Sequence, residues 1–484
     1  METIHFKTAD PVSQELLQGA SRKGFGLNWE RYEKQQPQDG FLRLGLSCPY
    51  GCLQGPCRID PFGRGAEQGI CGLDRDGMAA ALLLRLILQG VMESLPADPA
   101  ECGAETPWPA SLQDRAAAAV QRLGGAPLSP ALIFESALRL VRPSSSPGEL
   151  VRQTLRLALF GTGLMAKAGT KGSAGSLPCS AGYGLLAGEA VVVGVTGHPP
   201  KSLLETLREK AASLRKPEVR LVSLGDWIPA VGGFLPIACT AGEAETVLSS
   251  GKVNLLVAGP GTDPGIPALC AGMKIPVVLS DGKQDAPEIL RQAREAFDRR
   301  SPASCDFDPK WIGMSRVNLA DAEIAAALQE GSAAKIALIG GADNLLQSLG
   351  HLPVEMAKAL RGDDFAVASW GDAAVWMIKQ DLPVVVLDPE TGPLAAISSL
   401  AAAGKLSLLK GICFSGLRNC RELTLALGLA VLGMKVSLAT PIPLWGSEPV
   451  RTLLRDELAA LGGILMHFDH PVRAEELLDW FLRA

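Results

Sequence analysis

Residues 191–225 read VVVGVTGHPPKSLLETLREKAASLRKPEVRLVSLG, and their texture decides the fold class. Val191–Val195 is a short β-branched run without polar alternation, as expected of a parallel strand buried on both faces. Lys201–Leu214 spaces its apolar residues as an amphipathic helix does, and Val219–Leu224 is again β-branched. The alternation continues outward, with Glu243–Ser249 as a crossover helix and Val253–Val257 and Val277–Leu279 as strands. A second series follows: Ile336–Ile339, Phe365–Ala368, Val384–Leu387, a strand ending near Cys413, and Val436–Leu438. Strand–helix alternation of this kind predicts doubly wound α/β sheets. Asp306–Val317, with its Pro and Gly, reads as the connector between the two series.

Upstream of residue 186 the texture differs. Residues 1–40 are polar and mixed, and suit a helical arm. Residues 41–73 are crowded with Gly, Pro and Cys, too irregular for one helix or strand. Asp76 is the expected N-cap of a helix over Met78–Met92, and Ser111–Leu123 and Glu149–Leu159 read as further helices. The expected organisation is a helical domain over 1–185 with an irregular loop at 41–73, then Rossmann-like α/β domains over 186–325 and 326–484.

The 484 residues exceed what one ordinary core serves, so two to three domains are expected. The chain is 47% apolar and 20% charged, which excludes disorder over most of its length. A net charge of −5 and the absence of a dense basic tract argue against a nucleic-acid partner. METIHFKTADPVSQ lacks the features of a secretory signal. Arg85 and Glu189 interrupt the most apolar stretches before they reach the ~18 residues of a membrane span. A cytoplasmic protein is expected, and there eleven cysteines imply metal ligation or buried thiols rather than a disulfide framework.

Residues 47–72, SCPYGCLQGPCRIDPFGRGAEQGICG, hold Cys48, Cys52, Cys57 and Cys71 in the spacing C-x3-C-x4-C-x13-C. Four thiolates gathered this way can serve the four irons of a cubane or one tetrahedral zinc. Zinc sites usually present paired C-x2-C knuckles, and the long last gap fits neither a finger nor a ribbon. Four unrelated buried thiols are the plain alternative, and crowding among Gly and Pro speaks against it.

GPCRI, a Gly-rich stretch and GICG resemble the cluster-binding segment of the anaerobic nickel–iron carbon monoxide dehydrogenases, relatives of the hybrid-cluster proteins. The resemblance implies a [4Fe–4S] cluster on Cys48, Cys52, Cys57 and Cys71 that relays electrons, so the helical domain becomes an Fe–S domain. The family's first gap is usually one residue shorter, which makes Gly51 or a neighbour an insertion. Two upstream cysteines that bridge the family's subunits through a shared cluster correspond to Asp39 and Ser47. A homodimer of this chain would therefore lack a bridging cluster.

The likeness continues through the α/β region. VVVGVTGHPPKSLLE resembles the segment that presents the family's histidine ligand, giving His198; ACTAGEAE gives Cys239, and GICFSGLRNCRE gives Cys413. LFGT at 159–162 and LGGILMHFDHP near the C-terminus extend the match, although the chain is markedly shorter than typical members. The departures are chemical. The family's nickel–iron cluster needs five cysteines and one histidine. Here its third, fourth and fifth cysteine positions fall at Gly261–Thr262, Ala342, and Trp370 or Gly371. The family's lysine corresponds to Pro449 in PLWGSEPV, and its histidines are missing around GVMES. Carbon monoxide oxidation releases protons that placed acids and bases must take up. Ordinary turnover of that kind is therefore not expected.

The sequence thus implies a carbon monoxide dehydrogenase-like redox protein with one relay cluster, a ferredoxin-like partner, and a remodelled second centre of iron or nickel on His198, Cys239 and Cys413. The alternatives are a non-catalytic electron-transfer or assembly protein on the same scaffold and, more distantly, a zinc-stabilised binding protein. Cys179, Cys270, Cys305 and Cys420 lie off the family's positions and read as small buried hydrophobes or added ligands, and Cys102 as incidental. Gly340–Gly341 and Val257–Thr262 read as strand-end packing rather than dinucleotide loops. His467 and His470 read as a strand-end turn with metal binding as the alternative. The sequence indicates neither substrate nor catalytic residues.

Overall fold

The computed structural model describes residues 7–35, 43–96, 108, 110–169, 175–214, 217–280, 285–299, 306–319, 321–328 and 335–482. Its strands in the first α/β half are β1 (Ser176–Ala181), β2 (Val191–Thr196), β3 (Val219–Gly225), β4 (Pro229–Ala230), β5 (Gly233–Phe234), β6 (Ile237–Thr240), β7 (Val253–Ala258) and β8 (Val277–Leu279). Those that follow are β9 (Gly313–Asn318), β10 (Lys335–Gly341), β11 (Phe365–Trp370), β12 (Val385–Leu387), β13 (Leu409–Gly416), β14 (Lys435–Leu438) and β15 (Ile464–His467).

Thirteen strands form one sheet, in the order β15-β14-β13-β10-β11-β12-β9-β1-β6-β3-β2-β7-β8, while β4 and β5 make a small hairpin. Every neighbouring pair in the large sheet is parallel except β1 with β9, which run antiparallel from Ser176↔Asn318 to Ala181↔Gly313. In one half the chain winds from β10 outward to β11 and β12, then reverses through β13, β14 and β15. In the other it winds from β2 to β3 and β6, then reverses through β7 and β8. Each half has a switch point between its first strand and the strand that begins the reversal, which is where doubly wound sheets leave a ligand crevice.

Two expectations need correction. Asp306–Val317 is not simply a connector, because its second part is β9, the seam between the halves. Its sequence, GMSRVN, alternates in burial as an edge strand would, and it carries no β-branched run. The helix after the cysteine loop spans Arg75–Glu93 and is capped by Asp74, whose carboxylate accepts the Gly77 N–H at 2.8 Å. Asp76 instead accepts from the Ser447 hydroxyl at 2.6 Å, tying the loop's exit to a distant turn.

Helices Arg75–Glu93 and Pro147–Gly169 pack with Cys420–Val431 in one core that includes Leu83, Ile87, Leu155, Phe160, Leu425 and Leu429. The last of these helices leaves β13, so the N-terminal helices share a core with the second half of the sheet. None of the described helices is long and apolar enough to cross a membrane.

Candidate metal centre

The cysteine loop is built by local hydrogen bonds rather than regular structure. Cys48 N–H donates to the Cys57 carbonyl and Ile59 N–H to Leu46, each at 2.9 Å, pinching the chain between them into a closed loop. Asp60 organises the next turn, its carboxylate accepting from Phe62 N–H at 3.2 Å, from Gly65 N–H at 2.8 Å and from Arg64 N–H. These donors, Arg64 first, hold its pKa below the ordinary carboxylate value. Gly69 lies where a Cβ would meet Met78 Cε at 3.2 Å and Cys57 Cβ at 3.4 Å, so the 69–73 turn packs closely on Cys57.

Cys48 and Cys57 are half-buried over a floor of Leu46, Ile59 and Met78, while Cys52 and Cys71 are exposed. Ile70 N–H donates to Cys57 Sγ at 3.4 Å. Tyr50 is buried, and its hydroxyl has no hydrogen-bond partner among the described residues. Burial, then the charges of Cys48 and Cys71, push its pKa up to about 12, so both thiols stand within electrostatic reach of that hydroxyl. An unpartnered buried donor beside two cysteines fits a loop shaped to present hydrogen bonds to sulfur.

Among the described residues no three His, Cys, Asp or Glu side chains are disposed around one metal ion. A single zinc needs its four thiolates clustered at ~2.3 Å bonds around one point. A cubane makes a looser demand, since each thiolate binds a different iron. Four thiols on one loop supply the donor number that either group needs, and the orphaned Tyr50 hydroxyl is a buried donor in the same loop.

His198, Cys239 and Cys413 do not converge. His198 lies at the β2–β7 switch point, exposed, with its N–H on the Pro260 carbonyl at 2.8 Å. Cys239, inside β6, is buried, and burial followed by the Glu243 charge holds its thiol pKa well above the ordinary value. Cys413, inside β13, packs with Ile339, Ala337 and Met356, and burial pushes its pKa to about 12. Both cysteines are thiols rather than thiolates in these surroundings. Cys179 and Cys270 are buried and Cys420 half-buried, each with its pKa raised chiefly by burial. Cys102, Cys305 and Asp39 lie outside the described residues.

What the sequence reading missed lies between these positions. Each vacated cysteine position is followed within two residues by an aspartate: Asp263, Asp343 and Asp372. Asp343 leaves the end of β10 and Asp372 the end of β11, and the Asp343 N–H donates to Asp372 at 2.9 Å. The start of the turn after β6 closes over both: Gly242 N–H donates to Asp343 at 3.2 Å and Ala241 N–H to Asp372 at 3.4 Å. Trp376 Nε1–H donates to Asp343 at 2.8 Å. Burial raises both carboxyl pKa values, and the Asp372 charge raises Asp343 further. Arg418, from the loop after β13, reaches Asp226 at 3.4 Å, and Asp226 accepts the Gly197 N–H at 2.7 Å. Burial opposes the Arg418 charge, but Asp372, Asp226, Asp263 and Glu422 outweigh it.

Behind this pocket Lys379 Nζ sits 2.8 Å from Glu243 and 3.2 Å from Asp10, all three buried. Thr240 links the two groups of acids, donating to Glu243 through its N–H at 3.1 Å and lowering Asp343 through its hydroxyl. The arrangement can hold and pass protons and can present one guanidinium to an anion. The signal that could have found it is an acid within two residues of a strand's carboxyl end, as in GGAD after β10 and WGD after β11.

No family model matches the chain. Carbon monoxide dehydrogenase 1 of Methanosarcina mazei is 51% identical over 89 residues, which cover 18% of this chain and 14% of that protein. The carbon monoxide dehydrogenase of Rhodospirillum rubrum is 49% identical over 83 residues, 17% of this chain and 13% of that protein. The sequence match thus spans about a seventh of these relatives' length. The fold likeness is far wider. Carbon monoxide dehydrogenase IV from Carboxydothermus hydrogenoformans superposes with a TM-score of 0.81 at 20% identity, covering 99% of each chain. A nickel-free carbon monoxide dehydrogenase from Thermococcus sp. AM4 superposes with a TM-score of 0.80 at 19% identity, covering 99% of this chain and 97% of that one. High identity in one segment and a shared fold along the whole length make this protein a relative of the carbon monoxide dehydrogenases.

Proposed function

We propose that the chain is an iron–sulfur redox protein with one [4Fe–4S] cluster held by Cys48, Cys52, Cys57 and Cys71, and with an acid pocket in place of a nickel-binding thiolate set. The observation that carries this reading is the pairing of four cysteines in one hydrogen-bonded loop with the unpartnered Tyr50 hydroxyl beside Cys48 and Cys71. When bound, the cluster would supply one-electron transfer. The chain's own contributions are the Ile70 N–H on Cys57, the apolar floor of Leu46, Ile59 and Met78, and the exposure of Cys52 and Cys71 to a carrier. At the junction, Asp343 and Asp372 would hold a proton that solvent alone would not keep there at neutral pH, and Arg418 would orient an anionic or polar substrate.

The carrier is a ferredoxin-like protein, and the setting is cytoplasmic. A dimer would form without a bridging cluster, since Ser47 pairs its backbone with Arg58 and offers no thiolate. A second reading, a non-catalytic electron-transfer or assembly protein, is favoured by one observation: Cys239 and Cys413 are buried inside separate strands, β6 and β13, while His198 is exposed at the end of β2.

Anaerobic purification followed by iron, sulfide, nickel and zinc counting tests both. About four irons and four sulfides per chain, lost in Cys57→Ala, is the expected result. Further metal that disappears in Cys239→Ala would favour the enzyme. Zinc alone in anaerobically prepared protein would overturn the redox reading altogether.

A further inference from the structure

Far from the cysteine loop, a cavity of about 260 Å³ opens between β15 and the helix Glu448–Ala459. It runs along β15 itself, between Leu465–His467 and the helix face that carries Leu454 and Leu458. Leu454, Leu458, Leu465 and Met466 give it an apolar wall. Six polar side chains line it as well, Glu448, Thr452 and Arg455 among them, and the other three each carry a buried nitrogen with no hydrogen-bond partner among the described residues: Trp445 Nε1, Arg451 Nε and His467 Nδ1.

Three orphaned groups on one small cavity are too many to dismiss individually, because each uncompensated buried polar group costs about 1–3 kcal/mol. They are also held in place. The Arg451 guanidinium stacks on the Trp445 ring at 4.5 Å, and the His467 ring meets that of Trp445 edge-on at 5.1 Å. Arg451 keeps its orientation through the terminal Nη2 on Glu448, and that contact leaves Nε without a partner of its own. Burial, then Arg451, lowers the His467 pKa to about 4, so the imidazole is neutral and its Nδ1 is free to donate or accept. His470, three residues on, is occupied: its nitrogens face Asp469 at 2.9 Å and Glu476 at 3.1 Å. The two histidines therefore do not share a metal.

Trp Nε1–H and Arg Nε–H can only donate. What they lack is an acceptor, and beside a guanidinium the acceptor of choice is an oxyanion. We propose that this cavity binds a small carboxylate or phosphate, received by Trp445, Arg451 and His467, with any short apolar tail lying on Leu454, Leu458 and Leu465.

Isothermal titration of the full chain with inorganic phosphate, and separately with sodium butyrate, tests the assignment and distinguishes the two headgroups. Saturable binding of either probe with a dissociation constant at or below about 1 mM is expected. Trp445→Phe removes only the indole donor, and Arg451→Met keeps most of the side chain's bulk. Each should weaken binding at least about tenfold. If Arg451→Met does not fold, Trp445→Phe alone decides. Heat of dilution alone for both probes up to about 10 mM, or binding unchanged in Trp445→Phe, would overturn the assignment.

Discussion

The backbone N–H of Asp343 donates to the Asp372 carboxylate at 2.9 Å, which brings together two buried acids from the ends of neighbouring strands. Burial raises both pKa values, Asp343 to about 8 and Asp372 to about 6, and the Asp372 charge adds to the rise at Asp343.

The first prediction is a pH dependence of stability. Below about pH 3 both carboxyls are protonated in the folded and unfolded chain alike, and the pair costs nothing. As pH rises, the unfolded chain releases its protons first while the folded chain keeps them. Stability therefore declines through the neutral range until the folded groups ionise, near pH 8 for Asp343. Asp372→Asn removes one titration and relieves the other. The loss of stability between pH 5 and 8.5 should shrink by about 1–2 kcal/mol in urea unfolding. Identical slopes in the variant and the parent would show that the pair is not proton-linked.

The second concerns Lys379. Its ammonium faces Glu243 and Asp10 and lies 4.1 and 4.2 Å from the Tyr183 and Trp376 ring centres. Burial opposes the Lys379 charge, and Glu243 and Asp10 more than offset it. Lys379→Met leaves Glu243 ionised and uncompensated, at a cost of about 3–5 kcal/mol. Adding Glu243→Gln to that variant should restore more than half of the loss, because breaking a buried pair is worse than replacing it. A single variant within 1 kcal/mol of the parent would mean the pair is far better solvated than its burial indicates.

Much of the fold was legible because buried parallel strands announce themselves. Val253–Ala258 is fully buried, and its apolar run needs no partner to be recognised. β1 escaped because Pro178 sits within it, opposite Arg316, and proline argues against an inner strand. β9 escaped because Met314, Ser315 and Arg316 carry no β-branched signal, although Val317 does. The cysteine loop was readable because its chemistry is local in sequence. The acid pocket was not, because Gly242, Asp343 and Asp372 meet only through sheet order, and no single segment shows more than one of them.

Tyr50 gives a third prediction, on the redox potential of the loaded loop. Its hydroxyl is the one buried donor beside Cys48 and Cys71 without a partner among the described residues. A hydrogen bond to a cluster sulfur favours the reduced, more negative state and raises the potential. Tyr50→Phe keeps the ring in the core and removes that hydroxyl. The midpoint potential of anaerobically prepared protein should fall by about 30–60 mV, the one-electron equivalent of a bond worth about 1 kcal/mol. An unchanged potential at full iron content would place the hydroxyl elsewhere.

The last prediction tests how the cluster loop is anchored. The helix that begins at Asp74, three residues after Cys71, is pressed against Cys420–Val431 at Gly90. A Cβ there would stand 2.1 Å from the Cys420 carbonyl oxygen and 2.2 Å from Thr424 Oγ1. The first of these atoms is backbone and cannot turn aside. Gly90→Ala must therefore push the helix off the sheet's own core, at about 1–3 kcal/mol or more, even though alanine is the better helix former. Gly148, near the start of Pro147–Gly169, has nothing within 4 Å of its Cβ position, and Gly148→Ala should stay within about 0.5 kcal/mol of the parent. Urea unfolding separates the two. Because Asp76 of the first helix also holds Ser447, the Gly90 variant should lose iron more readily than the Gly148 variant at equal protein concentration. Equal stability and equal iron retention in both would show that the loop is held by its own turns and not by the helix behind it.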